Sequence, residues 1–246
     1  MRIDRYISQG TGTPRSHVWT GVRAGQALVN GVEVRDPAKQ VTSGVDEVVF
    51  RGKPVRPFGH RVLMLHKPVG HVCTTEEMAA PNVMSLVPPD LQARDLAPIG
   101  RLDKDTTGLL LLTTDGGLNH ALTHPRRHVE KAYVATLQAD LPADAEDHFA
   151  VGIVLPDGTR CLPAVLERMG PKLVRIRLHE GKFPQVKRMV AVCGGLVLTL
   201  HRERIGGLWL DPNLPPGGVR ELTADEVALL RSGEPADQGE TDAAEP

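Results

Sequence analysis

The sequence is poor in aromatic side chains. Only eight of its 246 residues are Phe, Tyr or Trp. A folded core must therefore be aliphatic, and the hydrophobic fraction of 41% is sufficient for one, which excludes a globally disordered protein. The shortage also leaves few candidates for any task that requires an aromatic ring.

Cysteines and long apolar segments are scarce as well. The three cysteines, Cys73, Cys161 and Cys193, lie far apart, and none has the spacing of a metal-binding pair. So sparse and odd a number favours reduced thiols. No run approaches the roughly 20 apolar residues of a membrane span, and the N-terminus lacks the apolar segment of a signal peptide. We therefore expect a cytoplasmic protein that binds no metal and does not enter a membrane.

The charge is balanced overall but segregated along the chain. The formal net charge of −1 argues at first against a nucleic-acid partner. However, residues 232–246 hold five acidic residues and no base, whereas the first sixty residues hold nine bases and five acids. This pattern indicates a basic N-terminal module, which suits a polyanion such as RNA, followed by a near-neutral body and an acidic tail.

Hydrophobic patterning divides the chain into four parts. Residues 1–50 predict a small domain of two helices, a hairpin and a short strand. Residues 51–60, which are rich in proline, glycine and base, are typical of a linker. In residues 61–231 the predicted strands outnumber the helices and do not alternate regularly with them, which predicts an α+β domain on a mixed sheet. Residues 232–246 are polar, and we expect a disordered tail.

Two polar segments are candidates for chemistry. Residues 100–108, GRLDKDTTG, directly precede a predicted apolar strand, so their side chains are both accessible and held by a rigid element. An ordinary β-turn has the same composition and remains the alternative. Residues 180–188, EGKFPQVKR, begin a predicted helix, whose N-terminus attracts anions. Bases in the first turn oppose the helix dipole, and this conflict favours a functional segment over a solvated turn.

These segments together resemble a known family. GRLDKDTTGLLLLTTDG resembles the central motif of the pseudouridine synthases, and EKAYVATL, EGKFPQVKRMV and LHRERIGGLWLD are similar to the RsuA-type branch that acts on ribosomal RNA. MRIDRYIS, RAGQALVNGVEV and SGVDEVVF resemble the S4-like RNA-binding domain of that branch. The resemblance extends to about residue 231, and its C-terminal part is most similar to the small-subunit (16S) enzymes.

The resemblance implies roles for individual residues. It places the catalytic carboxylate at Asp103, a tyrosine that stacks on the target base at Tyr133, and the basic partner of the carboxylate at Lys187. It implies no metal and no organic cofactor. Lys182 and Pro184 stand where relatives commonly have arginine and histidine. The residues that the resemblance and the local charge suggest for RNA binding are Arg101, Arg188, Lys182, Gln185, Arg2, Arg5, Arg15 and Arg23.

The expected reaction converts one uridine of ribosomal RNA, in the 16S molecule by resemblance, to pseudouridine. The target base must leave its stack at a cost of a few kcal/mol, and a stacked ring can return about 1–3 kcal/mol, which is a physical reason for Tyr133. Lys187 would keep Asp103 ionised once bound RNA has excluded water. The alternatives are a large-subunit (23S) synthase of the same branch and a non-catalytic RNA-binding ribosome-assembly factor. We expect a monomer whose partner is ribosomal RNA or an assembly intermediate.

Overall fold

The computed structural model describes residues 1–42, 45–55, 60–76, 81–93, 95–124, 127–182 and 184–232. Two compact units are present, Met1–His60 and Arg61–Pro246, and each is described by itself. Residues 56–59 of the predicted linker, and all of the predicted acidic tail except Ser232, lie outside the described residues. In the part of the chain that is described, no helix has the length and apolarity to cross a membrane.

The first unit packs two helices on a four-stranded antiparallel sheet whose order is β2-β1-β3-β4. Its elements are α1 (Ile3–Thr11), α2 (Arg15–Arg23), β1 (Ala27–Val29), β2 (Val32–Val34), β3 (Val48–Phe50) and β4 (Lys53–Val55). The core between helices and sheet is aliphatic except for Tyr6 and Phe50. The predicted hairpin is confirmed, since Asn30 and Gly31 take the positive φ values of 52° and 79° that an Asn-Gly turn requires.

The linker prediction is wrong at residues 51–55. Arg51 and Gly52 form a second turn with positive φ, and the following strand β4 pairs with β3 at the edge of the sheet. Pro54 is tolerated there because an edge strand needs no hydrogen-bond donor on its outer side. Val55 is buried in the core of the first unit, so the folded unit extends beyond residue 50.

The second unit is built around one large sheet. Its elements are β5 (Val62–Lys67), a 3₁₀ turn (Val83–Leu86), β6 (Ala97–Ile99), β7 (Thr107–Thr113), α3 (Gly116–Thr123), β8 (Lys131–Leu137), α4 (Ala145–Val151), β9 (Val165–Gly170), β10 (Leu173–Leu178), α5 (Gln185–Val192), β11 (Val197–Ile205), β12 (Leu208–Trp209), β13 (Val219–Glu221) and α6 (Ala224–Ser232). Seven strands follow the order β13-β5-β7-β11-β8-β10-β9, and β6 and β12 pair with β7 and β11.

The sheet is mixed, as the sequence predicts. Strands β7 and β11 run parallel, and every other strand pair of this sheet in the described residues is antiparallel. Strand β7 is buried on both faces: Leu110 and Leu112 belong to the core on one face, and Leu109 and Leu111 to the core on the other. The α+β class predicted for this unit is therefore confirmed.

Candidate active site

An open cavity of about 640 Å³ lies in the second unit, where the sheet meets the start of α5. Its walls come from the loop before β7, the start of β8, the segment that leads into α5, and β11. Asp103, Tyr133 and Lys187, which the sequence analysis proposed as catalytic, all line this cavity. The two polar segments at residues 100–108 and 180–188, far apart in the chain, thus contribute to one site.

Lys187 holds two carboxylates at the mouth of the cavity. Its Nζ lies 3.5 Å from Asp103 Oδ2 and 2.6 Å from Asp105 Oδ1. The Asp103 side chain is 20% exposed and lines the cavity, whereas the Asp105 side chain is 68% exposed and does not. The hydrogen bond from Lys187 lowers the pKa of Asp105. Lys187 therefore neutralises both carboxylates, but only Asp103 is directed to the interior.

The loop that carries Asp103 is held by a fully buried lysine. Lys67 Nζ donates hydrogen bonds to the carbonyl oxygens of Thr106 at 2.7 Å, Asp103 at 3.0 Å and Lys104 at 3.3 Å. A fourth bond, at 3.1 Å, goes to Pro68. Burial lowers the pKa of Lys67. This ammonium group ties the backbone at Asp103 and in the three residues after it to the end of β5, which fixes the direction of the carboxylate.

Tyr133 and Arg202 are direct neighbours on adjacent strands of the cavity floor. They face each other in the β8–β11 register, and Arg202 Nη1 lies 3.5 Å from the Tyr133 hydroxyl oxygen. On its other side Arg202 is opposite Gly108 of β7, which has a φ of 106°. A Cβ at Gly108 would lie 2.2 Å from the Arg202 carbonyl oxygen, so only glycine permits this approach of the two backbones.

Lys131 is a second cation in the wall of the cavity. It precedes Tyr133 by two residues on β8, so both side chains point to the same face. Its Nζ donates to the Val129 carbonyl oxygen at 2.7 Å. Burial, together with the nearby positive charge of Arg202, lowers the pKa of Lys131 to about 8. Within the described residues, no group of three or more His, Cys, Asp or Glu side chains is arranged to hold a metal ion.

The residues suggested for RNA binding in this unit fall into two groups. Arg101 is exposed and lines the cavity, where it is available to a ligand. Lys182 and Gln185 also line the cavity but are tied to Glu180: Lys182 Nζ lies 3.0 Å from one carboxylate oxygen, and Gln185 Nε2 donates to the other at 2.6 Å. These contacts give both residues a part in shaping the segment before α5.

Arg188 has an internal partner as well. Its guanidinium lies 2.6 Å from the Asp157 carboxylate. This hydrogen bond, with backbone support from Thr159, lowers the pKa of Asp157 to about 2. Arg188 does not line the cavity. Any contact of Arg188 with RNA would therefore be made outside the cavity and with a charge that Asp157 already offsets.

The arginines suggested in the first unit lie on or beside its two helices. Arg2 and Arg15 both bind the buried Asp4 carboxylate at 3.0 Å while their own side chains remain about half exposed. Arg5 is exposed. Arg23 lies over the Trp19 ring at 4.3 Å, and 42% of Trp19 is exposed. Helix α2 thus presents an arginine and an aromatic ring side by side on its surface.

Comparison with known proteins identifies the catalytic unit. Residues 61–192 match the family model of RNA pseudouridylate synthase. This is an RNA pseudouridylate synthase family member. The ribosomal small subunit pseudouridine synthase A of Escherichia coli K12 is 42% identical over 234 residues, which cover 94% of this chain and 100% of the relative. The enzyme of the same name from Pseudomonas aeruginosa is 40% identical over 94% of this chain and 100% of its own length.

A solved pseudouridylate synthase has the same fold. It covers 94% of this chain and 99% of its own chain, with 35% identity and a TM-score of 0.67. The resemblance found in the sequence is therefore confirmed, and the chain belongs to a family of isomerases that make pseudouridine in RNA. The family model spans Asp103, Tyr133 and Lys187, and the catalytic assignment of these three residues remains a proposal.

The resemblance to the pseudouridine synthases predicts no role for three further residues at the site, Lys67, Lys131 and Arg202. The apolar run VLMLH predicts a strand that ends at His66, before the turn-forming KPVG, but β5 continues through Lys67. A signal was available for Lys67 and Arg202, because a lone lysine at the end of the apolar run VLMLH, or an arginine within LVLTLHRERI, is unusual in a buried strand. Such a residue needs partners, and its burial points to a structural or functional role.

Proposed function

We propose that this chain converts one uridine of small-subunit (16S) ribosomal RNA to pseudouridine, with Asp103 as the attacking carboxylate. The observation that carries the proposal is that Asp103, Lys187 and Tyr133 line one cavity, with Asp103 Oδ2 within 3.5 Å of Lys187 Nζ. The choice of the small-subunit RNA rests on the relatives of that name, which match this chain over nearly its whole length.

Each residue of the trio has a distinct task. Asp103 attacks the nucleoside, and Lys187 keeps it ionised after the RNA has covered the cavity and removed water, when a lone carboxylate would favour its neutral form. Tyr133 stacks on the base that has left the helix and offsets part of the unstacking cost. Arg101, at the exposed wall of the cavity, contacts the RNA backbone that flanks the target.

The first unit serves as an S4-like RNA-binding domain in this proposal. Its support is the excess of bases in the first sixty residues and the exposed pair of Trp19 and Arg23 on α2. A base can stack on the tryptophan while the arginines bind phosphate. Arg23→Glu should weaken binding of a small-subunit RNA transcript and reduce its salt dependence, as measured by filter binding at several salt concentrations. Unchanged affinity and salt dependence would remove Arg23 from the interface.

The catalytic assignment is tested with two matched substitutions. Pseudouridine is mapped in both ribosomal RNAs by chemical labelling and reverse transcription, in cells that lack the gene and carry either Asp103→Asn or Asp105→Asn. Asp103→Asn should abolish the mark, and Asp105→Asn should retain it, because Asp105 shares Lys187 but lies outside the cavity. The reverse result would show that Asp105 is the nucleophile.

The same maps decide between the candidate substrates. A mark in small-subunit RNA that disappears with the gene supports the proposal, and a mark in large-subunit RNA supports the 23S alternative. Binding of RNA with no mark in either molecule would identify a non-catalytic assembly factor. The enzyme would act as a monomer in the cytoplasm, on ribosomal RNA or an assembly intermediate.

A further inference from the structure

Arg202 is a buried cation that has no carboxylate partner in the part of the chain that the structure describes. The residue is only 3% exposed. Its Nε donates to the Leu109 carbonyl oxygen at 2.8 Å, and Nη1 makes a long contact of 3.5 Å with the Tyr133 hydroxyl. Among the described residues, no carboxylate oxygen lies within the 4.0 Å of an ion pair, and Nη2 has no hydrogen-bond partner. Such a group is costly to bury, because the lost hydration is not replaced.

The buried guanidinium lies next to the cavity. Arg202 lines it, together with Thr106, whose buried hydroxyl oxygen also has no partner among the described residues. The positive charge also acts on Lys131 of the neighbouring strand β8, since together with burial it lowers the pKa of that lysine. Two polar atoms beneath the cavity floor, Arg202 Nη2 and the Thr106 hydroxyl oxygen, are thus buried with unused hydrogen-bonding capacity, and a small movement of either side chain would bring it to a ligand.

The isomerisation provides a ligand that needs a cation at this place. The C1′–N1 bond breaks and its electron pair passes to the base, the C1′–C5 bond forms, C5 loses a proton and N1 gains one. Negative charge therefore develops on the pyrimidine and is shared with its carbonyl oxygens. Attack of the carboxylate at C1′ and its attack on the pyrimidine ring both produce this charge. The need for a cation therefore does not depend on which atom is attacked first.

We propose that Arg202 is a further catalytic residue, which donates a hydrogen bond from Nη2 to a carbonyl oxygen of the target uracil and stabilises the charge that develops on the base. The inference rests on the proposed function and deepens it. Three features support it: the neighbouring position of Tyr133, on which the base would stack, the unpartnered Nη2, and the fixed position of the guanidinium between β7 and β8. A preorganised donor in a water-poor site is the arrangement that electrostatic catalysis requires.

The first measurement separates chemistry from binding. Single-turnover formation of pseudouridine is followed on a small-subunit RNA transcript with saturating enzyme, and the Kd of the transcript is measured by filter binding. Arg202→Met should lower the rate constant about 100- to 1,000-fold, as loss of one charge-stabilising donor does elsewhere. The Kd should change less than about threefold, and Arg202→Lys should recover part of the rate.

A matched control comes from the same strand. Arg204 is equally buried, but its charge is paired with Glu130 and it does not line the cavity. Arg204→Met should lower thermal stability while folded enzyme keeps the wild-type rate constant. If Arg204→Met and Arg202→Met lose the same activity per folded molecule, the role of Arg202 is structural and the inference is overturned.

A second measurement tests the contact itself. Ligated transcripts carry 2-thiouridine or 4-thiouridine at the target position, because sulfur is a weaker hydrogen-bond acceptor than oxygen. In the wild type, sulfur at the contacted position should slow the reaction, and this slowing should disappear in Arg202→Met. Equal slowing in both enzymes at both positions would refute the contact. Wild-type enzyme that makes no pseudouridine in the unmodified transcript would instead refute the proposed function, and the inference with it.

Discussion

Removal of the Lys67 ammonium group should inactivate the enzyme, although the walls of the cavity stay in place. In Lys67→Met, the chain volume at the end of β5 is nearly preserved, but the carbonyl oxygens of Asp103, Lys104 and Thr106 lose their donor. These three bonds tie the loop of the catalytic carboxylate to the sheet. The cavity walls made by β8, β11 and α5 are not touched by the change.

The magnitude follows from the three loop contacts. Each bond contributes about 1 kcal/mol net, so the free energy of unfolding should fall by about 3 kcal/mol. The lost desolvation cost of the ammonium group offsets part of this, and the buried carbonyls left without a donor add to it. For activity, a displacement of the carboxylate by about 1 Å is enough to lower the rate about 100-fold.

Two assays on the same preparation test this reasoning. Urea unfolding gives the stability, and single-turnover pseudouridine formation at a temperature where the variant is folded gives the rate. Leu65→Ala is the control: Leu65 is fully buried on the same strand, so its truncation should cost about 2–5 kcal/mol without a direct effect on the loop. Wild-type activity in folded Lys67→Met, or equal loss of activity in Leu65→Ala, would show that Lys67 does not position Asp103.

Two further predictions concern β7 and the cavity wall. Gly108→Ala should lower the free energy of unfolding by about 3 kcal/mol or more in urea titrations, because the new Cβ would meet the Arg202 backbone and Gly108 has a positive φ. The control Gly116→Ala, whose new Cβ has no atom within 4 Å, should change the free energy of unfolding by less than about 1 kcal/mol, and equal effects of the two substitutions would contradict the close approach of β7 and β11. Lys131 has a pKa of about 8 in the folded state, so it should lose its proton at a lower pH there than in the unfolded chain. The stability of the wild type relative to Lys131→Met should therefore rise as the pH increases from about 8 to 10.5. If the difference between their urea midpoints is constant from pH 7 to pH 10, this lysine is not buried as a charge.

The elements were easiest to predict where local pattern and tertiary environment agree. The run GLLLLTT is apolar throughout, so a strand buried on both faces could be predicted, and the structure has it as β7. The helix predicted to begin within residues 180–188 is also present, as α5, which starts at Gln185. In these segments no distant contact is needed to decide the conformation.

The remaining errors arise from distant contacts. Strand β4 was interpreted as a linker because Pro54 is a strong local breaker, but its position at a sheet edge removes that objection. Gln185 lines the cavity, but its burial and its bond to Glu180 could not be predicted from the local sequence. The position of Arg202 between Gly108 and Tyr133 depends on the β7–β11 and β8–β11 pairings, which no local pattern specifies.

The parallel pairing of β7 and β11 also has a consequence for synthesis of the protein. Thr107 and His201, which are partners in this pairing, lie 94 residues apart in the chain. At ordinary translation rates Thr107 and Gly108 of β7 therefore wait about 5–20 s for their partners in β11, whereas β5 and β6, which precede β7 in the chain, are already available to pair with the rest of it. Until β11 emerges, Arg202 has not yet reached the cavity. The proposed site is thus completed only after β11 has been synthesised.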